Sequence, residues 1–336
     1  MTRITSFILT LIMFLFPTLN VSNISVDKTE WKTDYEYVYC HGLSGWGSYD
    51  LQNYFMPYWG MFGGDMIKNL NALGFKCNAA SVDPDGSAWD RACELYAQLT
   101  GTKTDYGKAH SEKYGHDRYG KDFSKKPLIE SWSSEDKINL LGHSFGGATV
   151  RLLAELMANG SAEERAVTDA NDISELFTGG KADWIYSVTT LAAPTNGTTA
   201  YGFSDPELLE DHDTAAYDMY IDNALALNER ISTQSCTYYF AVPCSATVQN
   251  EDGTWSFDEN VNVEFPSRNT GSRMMDLTGV TPGGFVVDES WLENDGMVNT
   301  ISAGAPFNAP STPLDRENIQ PGTWNVAETY RGDHMA

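Results

Sequence analysis

The sequence predicts an α/β protein built on one mostly parallel central sheet with helices on both faces. Five strand-like segments alternate with helix-like stretches, which favours parallel pairing because a parallel crossover needs a helix-sized connection. The 336 residues, 41% of them hydrophobic, are enough to bury a full core in one large domain. A glycine-flanked serine marks the point where a strand pattern turns directly into a helix pattern.

The elements follow in order. "MTRITSFILTLIMFLFPTLNVS" carries an early Arg3, an apolar run from Phe7 to Phe16 and then Pro17. That is a signal-peptide pattern, ending near residue 25, and it predicts a secreted, extracellular protein. The run is shorter than the roughly 20 residues that span a bilayer, and a signal anchor is the alternative reading. From 26 to 336 no repeat or linker divides the chain, so one domain is expected. Strands are expected in "DYEYVYCHG" (34–42), "GFKCNAASV" (74–82), "KINLLGHS" (137–144), "WIYSVTTLAAP" (184–194) and "TYYFAV" (237–242), all rich in β-branched and aromatic residues. After Ser144, the residues Val150, Leu153, Ala154 and Met157 recur at helical spacing, and Asn159-Gly160 supplies the stop. The rhythm breaks in an insertion at about 84–126, most polar from Gly101 to Lys126 and too long for an ordinary connection. Such a segment is functional or held by a metal.

Charge and cysteines narrow the class further. With 46 acidic against 22 basic residues the net charge is -24, a field that repels phosphate backbones, so no nucleic-acid partner is expected. Five cysteines, Cys40, Cys77, Cys93, Cys236 and Cys244, are an odd number in a large chain and do not form a disulfide framework. Whether Cys40 and Cys77, on two neighbouring strands, pair is left open by the sequence. Asn159 and Asn196 open glycosylation sequons.

Gly142-His143-Ser144-Phe145-Gly146 matches G-x-S-x-G, where a serine sits on a strained strand-to-helix turn. A bare match is as often an ordinary glycine-rich turn; the apolar strand before it and the amphipathic helix after it favour a nucleophile. A serine hydroxyl needs a base to take its proton, and histidine, titrating near working pH, is suited to that task. In this kind of fold the acid and then the base follow the serine. His41, His110, His116 and His143 precede it, which leaves His212 and His334. His212 lies in the charged run "LEDHDT", which reads as a solvated face, so His334 is favoured. Asp295 in "WLENDGMV" is the leading acid, although an aspartate before glycine is often only a turn residue; Glu293 is the nearby alternative, and Asp333 stands too close to His334 in sequence to be favoured. The oxyanion donors are expected to be the backbone amides of Phe145, after the nucleophile, and Leu43, in "CHGLSGWG" after the first strand.

"HGLSGWG", "PYWGMFGGD", "WDRACELYAQLTGTKTDYGKAHSEKYGHDRYGK", "GHSFGG" and "WLENDGMVNT" together resemble the bacterial lipase family I.5, the large secreted true lipases of Bacillus, Geobacillus and Staphylococcus. The likeness runs from Tyr37 to His334 and implies an α/β-hydrolase fold and carboxylester hydrolysis. It places the triad on Ser144, Asp295 and His334. It also implies a structural zinc held by Asp90, His110, His116 and Asp218, a closed two-imidazole, two-carboxylate set without a water position. On their own, these four residues would read as surface side chains. Three departures stand out. Only "AYGFSDPELLEDH" occupies the place of the family's long lid-bearing stretch, Thr195 replaces a family histidine, and the chain stops two residues after His334. The first predicts an open site suited to short or soluble esters; the last suggests a truncated C-terminus and leaves calcium unknown.

The sequence therefore predicts a secreted serine carboxylester hydrolase, a triacylglycerol lipase or esterase working through an acyl-enzyme, in transient contact with lipid surfaces. The triad alone does not choose the leaving group, so an amide hydrolase or acyltransferase is the rival among enzymes. A zinc-stabilised binding protein without turnover is the rival from outside them.

Overall fold

The computed structural model describes residues 34–61 and 63–335, so the signal-peptide segment lies outside the described residues. In chain order the central strands are β1 (Glu36–Cys40), β2 (Cys77–Ala80), β3 (Ile138–His143), β4 (Ile185–Leu191), β5 (Tyr238–Val242), β6 (Ser311–Pro313) and β7 (Trp324–Val326). They lie in the spatial order β6-β7-β5-β4-β3-β1-β2, and every pairing is parallel. The first five fall inside the segments read as strands from sequence. The last two have only three residues each, "STP" and "WNV", too short to show a pattern.

Alternation along the strands sorts side chains onto two covered faces. Val38 and Cys40 of β1, Leu140 of β3 and Val188 of β4 join a large core with α1 (Ala88–Thr100) and α2 (Gly146–Asn159). Tyr39 of β1, Cys77 and Ala79 of β2 and, more peripherally, Leu141 and Leu191 turn to the other face, where Tyr58, Trp59 and the helix Met66–Ala72 cover them. In α2 the residues Val150, Leu153, Ala154 and Met157 are all buried, as their spacing requires, and Gly160 ends the helix at φ 66°.

Most of α1 is buried in the main core, so its share of the 84–126 segment is scaffold. What stands apart is an antiparallel ribbon, Lys103–Asp105 with Tyr119–Asp122, carrying the short helix Lys108–Tyr114. Arg118 clamps it, donating to both carboxylate oxygens of Asp105 at 2.9 and 2.8 Å and to Asp172 at 2.6 Å. All five cysteines are free. Cys40 pairs with Ala80 and Cys77 with Tyr37, so the two thiols stand at opposite ends of the β1–β2 ladder.

The chain leaves β1 for β2 on one side, while β3 enters on the other. Strand order thus reverses between β1 and β3, and the crevice beyond their C-terminal ends is where open parallel sheets bind ligands. His41 follows β1 and Ser144 follows β3 at that crevice.

Candidate active site

Ser144 sits at φ 54°, a left-handed conformation that a non-glycine residue adopts only under constraint, between the end of β3 and the start of α2. The flanking glycines explain how so tight a turn is reached. A Cβ on Gly142 would stand 2.3 Å from the Gly146 carbonyl oxygen, one on Gly146 the same distance from the Cys40 oxygen, and one on Gly42 only 2.5 Å from the Ser144 Cβ. Three backbones converge there, and no side chain fits between them.

The structure brings Ser144, His334 and Asp295 into line. The Ser144 hydroxyl lies 2.8 Å from Nε2 of His334, whose Nδ1 lies 2.8 Å from Oδ2 of Asp295. Asp295 is fully buried, and its other oxygen accepts from the Met297 and Val298 amides at 2.9 and 2.7 Å. That turn fixes the carboxylate facing the imidazole. Burial disfavours the charged form of His334, but the charge and hydrogen bond of Asp295, with the charge of Asp333, prevail and hold its pKa above the ordinary value. The alternatives are occupied elsewhere. Glu293 faces Arg331 at 3.5 Å, Asp333 accepts from the Glu264 and Met335 amides, and His212 stacks on Tyr217.

Opposite the serine, the loop after β1 is drawn back by Arg91 of α1. This fully buried guanidinium donates to the carbonyls of His41, Gly42 and Asp83 and to the Thr149 hydroxyl. With those carbonyls turned inward, the amides of Leu43 and Phe145 donate to no backbone acceptor among the described residues. Two donors are thus free for a negative oxygen.

A second cluster lies on the insertion. Nε2 of His110 is 3.1 Å from Oδ1 of Asp90 and 3.1 Å from Oδ2 of Asp213, and Nε2 of His116 is 3.3 Å from the same Asp213 oxygen. The four ligand atoms lie within 4.8 Å of one another. Asp90 Oδ1 and His116 Nε2 are buried without a hydrogen bond. Ligands about 2.0–2.1 Å from a tetrahedral ion stand roughly 3.3 Å apart, so the residues fit a divalent cation. Trp89 stacks on the His110 ring at 5.1 Å, and Nδ1 of His116 donates to the Asp117 carbonyl at 2.9 Å, leaving Nε2 to face the others.

Here the sequence expectation is corrected, because Asp218 is not in the cluster. It closes the short helix Ala215–Asp218, and its Oδ2 accepts from the Ala88 amide at the start of α1, at 2.7 Å. Burial pushes its pKa up to about 7, against the pull of that amide. Asp213, just before the Thr214 N-cap, occupies the fourth position instead. In the sequence Asp213 belongs to the charged run "LEDHDT" around His212, which reads as a solvated face. Sequence reasoning singles out neither Arg91 nor Tyr58, although they lie inside the stretches "WDRACE" and "PYWGMFGGD" that carry the resemblance.

The chain matches the family model "Lipase-like, C-terminal domain" over residues 33–207, just over half its length. Lipase 2 of Staphylococcus aureus is 31% identical over 355 residues, an alignment covering 90% of this chain and 50% of that protein. The chain therefore spans about half the length of the curated relatives it matches. Among solved structures, EstA from Clostridium botulinum superposes with a TM-score of 0.80 at 29% identity, covering 96% of this chain and 88% of the other. Staphylococcus hyicus lipase gives 0.79 at 29% identity, covering 93% and 90%.

Proposed function

Because the chain belongs to the bacterial lipase family that includes the staphylococcal enzymes, we propose that it is a secreted serine hydrolase of carboxylic esters, acylglycerols or simpler esters. The observation that carries this reading is the pair of 2.8 Å contacts running Ser144–His334–Asp295.

Ser144 attacks the ester carbonyl as Nε2 of His334 takes its proton. Asp295 keeps the proton of the neutral ring on Nδ1 and stabilises the imidazolium. The tetrahedral oxygen accepts from the Leu43 and Phe145 amides. His334 then hands its proton to the leaving alcohol, and water, activated by the same ring, hydrolyses the acyl-enzyme. The segment 200–212 contains only the short turns Thr199–Tyr201 and Pro206–Leu208, which supports an open site and turnover of short, dissolved esters. Asp90, His110, His116 and Asp213 would hold zinc, whose part with four protein ligands is to fix the insertion. Secretion rests on the N-terminal signal pattern, and acylglycerol substrates, as distinct from dissolved esters, would be reached by transient contact with lipid surfaces.

A fluorophosphonate probe tests the claim. Labelling of the protein that disappears in Ser144→Ala is expected, together with release from a p-nitrophenyl ester far faster than from the matched anilide. An unlabelled native protein overturns the reading in favour of a binding role.

A further inference from the structure

We propose that Tyr58 and His143 are positioning residues that wire the oxyanion loop to the backbone of the His334 loop through one directional hydrogen-bond relay. The proposal rests on the hydrolase reading above and names what holds its two halves in register.

The Gly42 amide donates to the Tyr58 hydroxyl at 3.0 Å. The hydroxyl lies 2.6 Å from Nδ1 of His143, and Nε2 of His143 lies 2.8 Å from the main-chain carbonyl of His334. A carbonyl only accepts, so Nε2 must carry a proton. With the ring neutral, Nδ1 is then an acceptor, and the Tyr58 hydroxyl, already accepting from Gly42, gives its own proton to it. Every bond runs one way, from the loop before Leu43 to the residue that contacts Ser144. A doubly protonated ring would break the order, because Tyr58 would face two donors with its own proton unplaced. The His143 ring packs against Tyr58, Trp59 and His334, with centroids 5.8, 6.2 and 4.9 Å away. Loss of hydration pushes its pKa down to about 3, which keeps the ring neutral at working pH.

The relay has a purpose because its ends are remote. Gly42 and His334 belong to separate loops nearly three hundred residues apart in the chain, and both must stand within tenths of an ångström of their places around one serine. Other bonds hold each loop singly, Arg91 on one side and the His334 amide to the Asp295 carbonyl on the other. Tyr58 and His143 span both.

The test measures kcat and KM with p-nitrophenyl butyrate, and thermal midpoints, for Tyr58→Phe, His143→Asn, His143→Gln and the double variant Tyr58→Phe/His143→Asn. Tyr58→Phe and His143→Asn should each lower kcat about tenfold or more with KM within about threefold. The double variant should fall no more than about threefold below the worse single, since both cut one relay. Glutamine places an amide N–H near the position of Nε2, so His143→Gln should recover at least about threefold of what asparagine loses. Single variants within about twofold of native kcat, or a double variant whose loss is the product of the singles, would overturn the relay. Variants that fail to fold leave a reading on the native protein, the nitrogen NMR shifts of His143. A neutral ring protonated at Nε2 at pH 7 supports the relay, and a cationic or Nδ1-protonated ring refutes it. Should native protein neither turn over nor label, the hydrolase reading fails, while the His143 tautomer from the same sample still decides the wiring.

Discussion

Between Asp295 and His334 the position of one proton decides whether Ser144 has a base. Asp295 works against burial, and the sign of its effect is fixed. Its charge raises the His334 pKa above the ordinary value, so below that pKa the ring is protonated and cannot accept from serine. The acid limb of kcat/KM should therefore lie above about pH 6.5. Asp295→Asn removes the opposing charge and leaves the burial, so the limb should move to lower pH. The variant should also lose about 10⁴-fold in kcat, because an amide at this position favours the wrong imidazole tautomer. A pH–rate profile of both proteins checks the shift and the loss together. A limb that stays in place in Asp295→Asn would mean that His334 does not titrate in the rate.

Elements differ in how plainly the sequence announces them. The five longer strands and α2 are legible because each repeats a burial period several times, and the elbow is legible because its glycines answer a steric demand. Gly142→Ala sets a Cβ 2.3 Å from the Gly146 carbonyl oxygen, against backbone that cannot rotate away. It should reduce soluble yield and fluorophosphonate labelling together. Leu153→Ala, buried in α2 far from the serine loop, should instead cost about 2–5 kcal/mol in urea unfolding while leaving kcat unchanged at temperatures where it stays folded. Short β6 and β7 stayed hidden for want of a period. Asp213 was hidden for another reason, since choosing between it and Asp218 depends on where a four-residue helix begins. Thr214 caps that helix, which leaves Asp213 outside it on the cluster side and turns Asp218 toward α1. His143 was legible as a neighbour of the nucleophile, but its partners Tyr58 and His334 are distant in sequence and only folding brings them to it.

At the scale of the whole molecule, a chain of net charge -24 places two carboxylates and two imidazoles against one another where α1, the 103–122 ribbon and the segment before Thr214 meet. A bound cation there relieves local repulsion and ties His110 and His116 of the ribbon to Asp90 of α1 and to Asp213. A ligand held only by the folded state adds RT ln(1 + [L]/Kd), about 4 kcal/mol at a free concentration a thousandfold above Kd. Stripping the metal with a chelator should therefore lower the thermal midpoint by roughly 5–15 °C. Below that lowered midpoint, the fluorophosphonate labelling rate of Ser144 should hardly change, since no ligand of the cluster belongs to the triad. Two substitutions separate the aspartates. Asp213→Asn should leave purified protein with well under half an equivalent of zinc by elemental analysis. Asp218→Asn, whose amide oxygen still accepts from Ala88, should keep nearly a full equivalent. The reverse pattern would return the fourth ligand to Asp218, and a native protein without zinc would leave the ribbon tethered by Arg118 to Asp172 and by the Ala109 and His110 amides to Glu164.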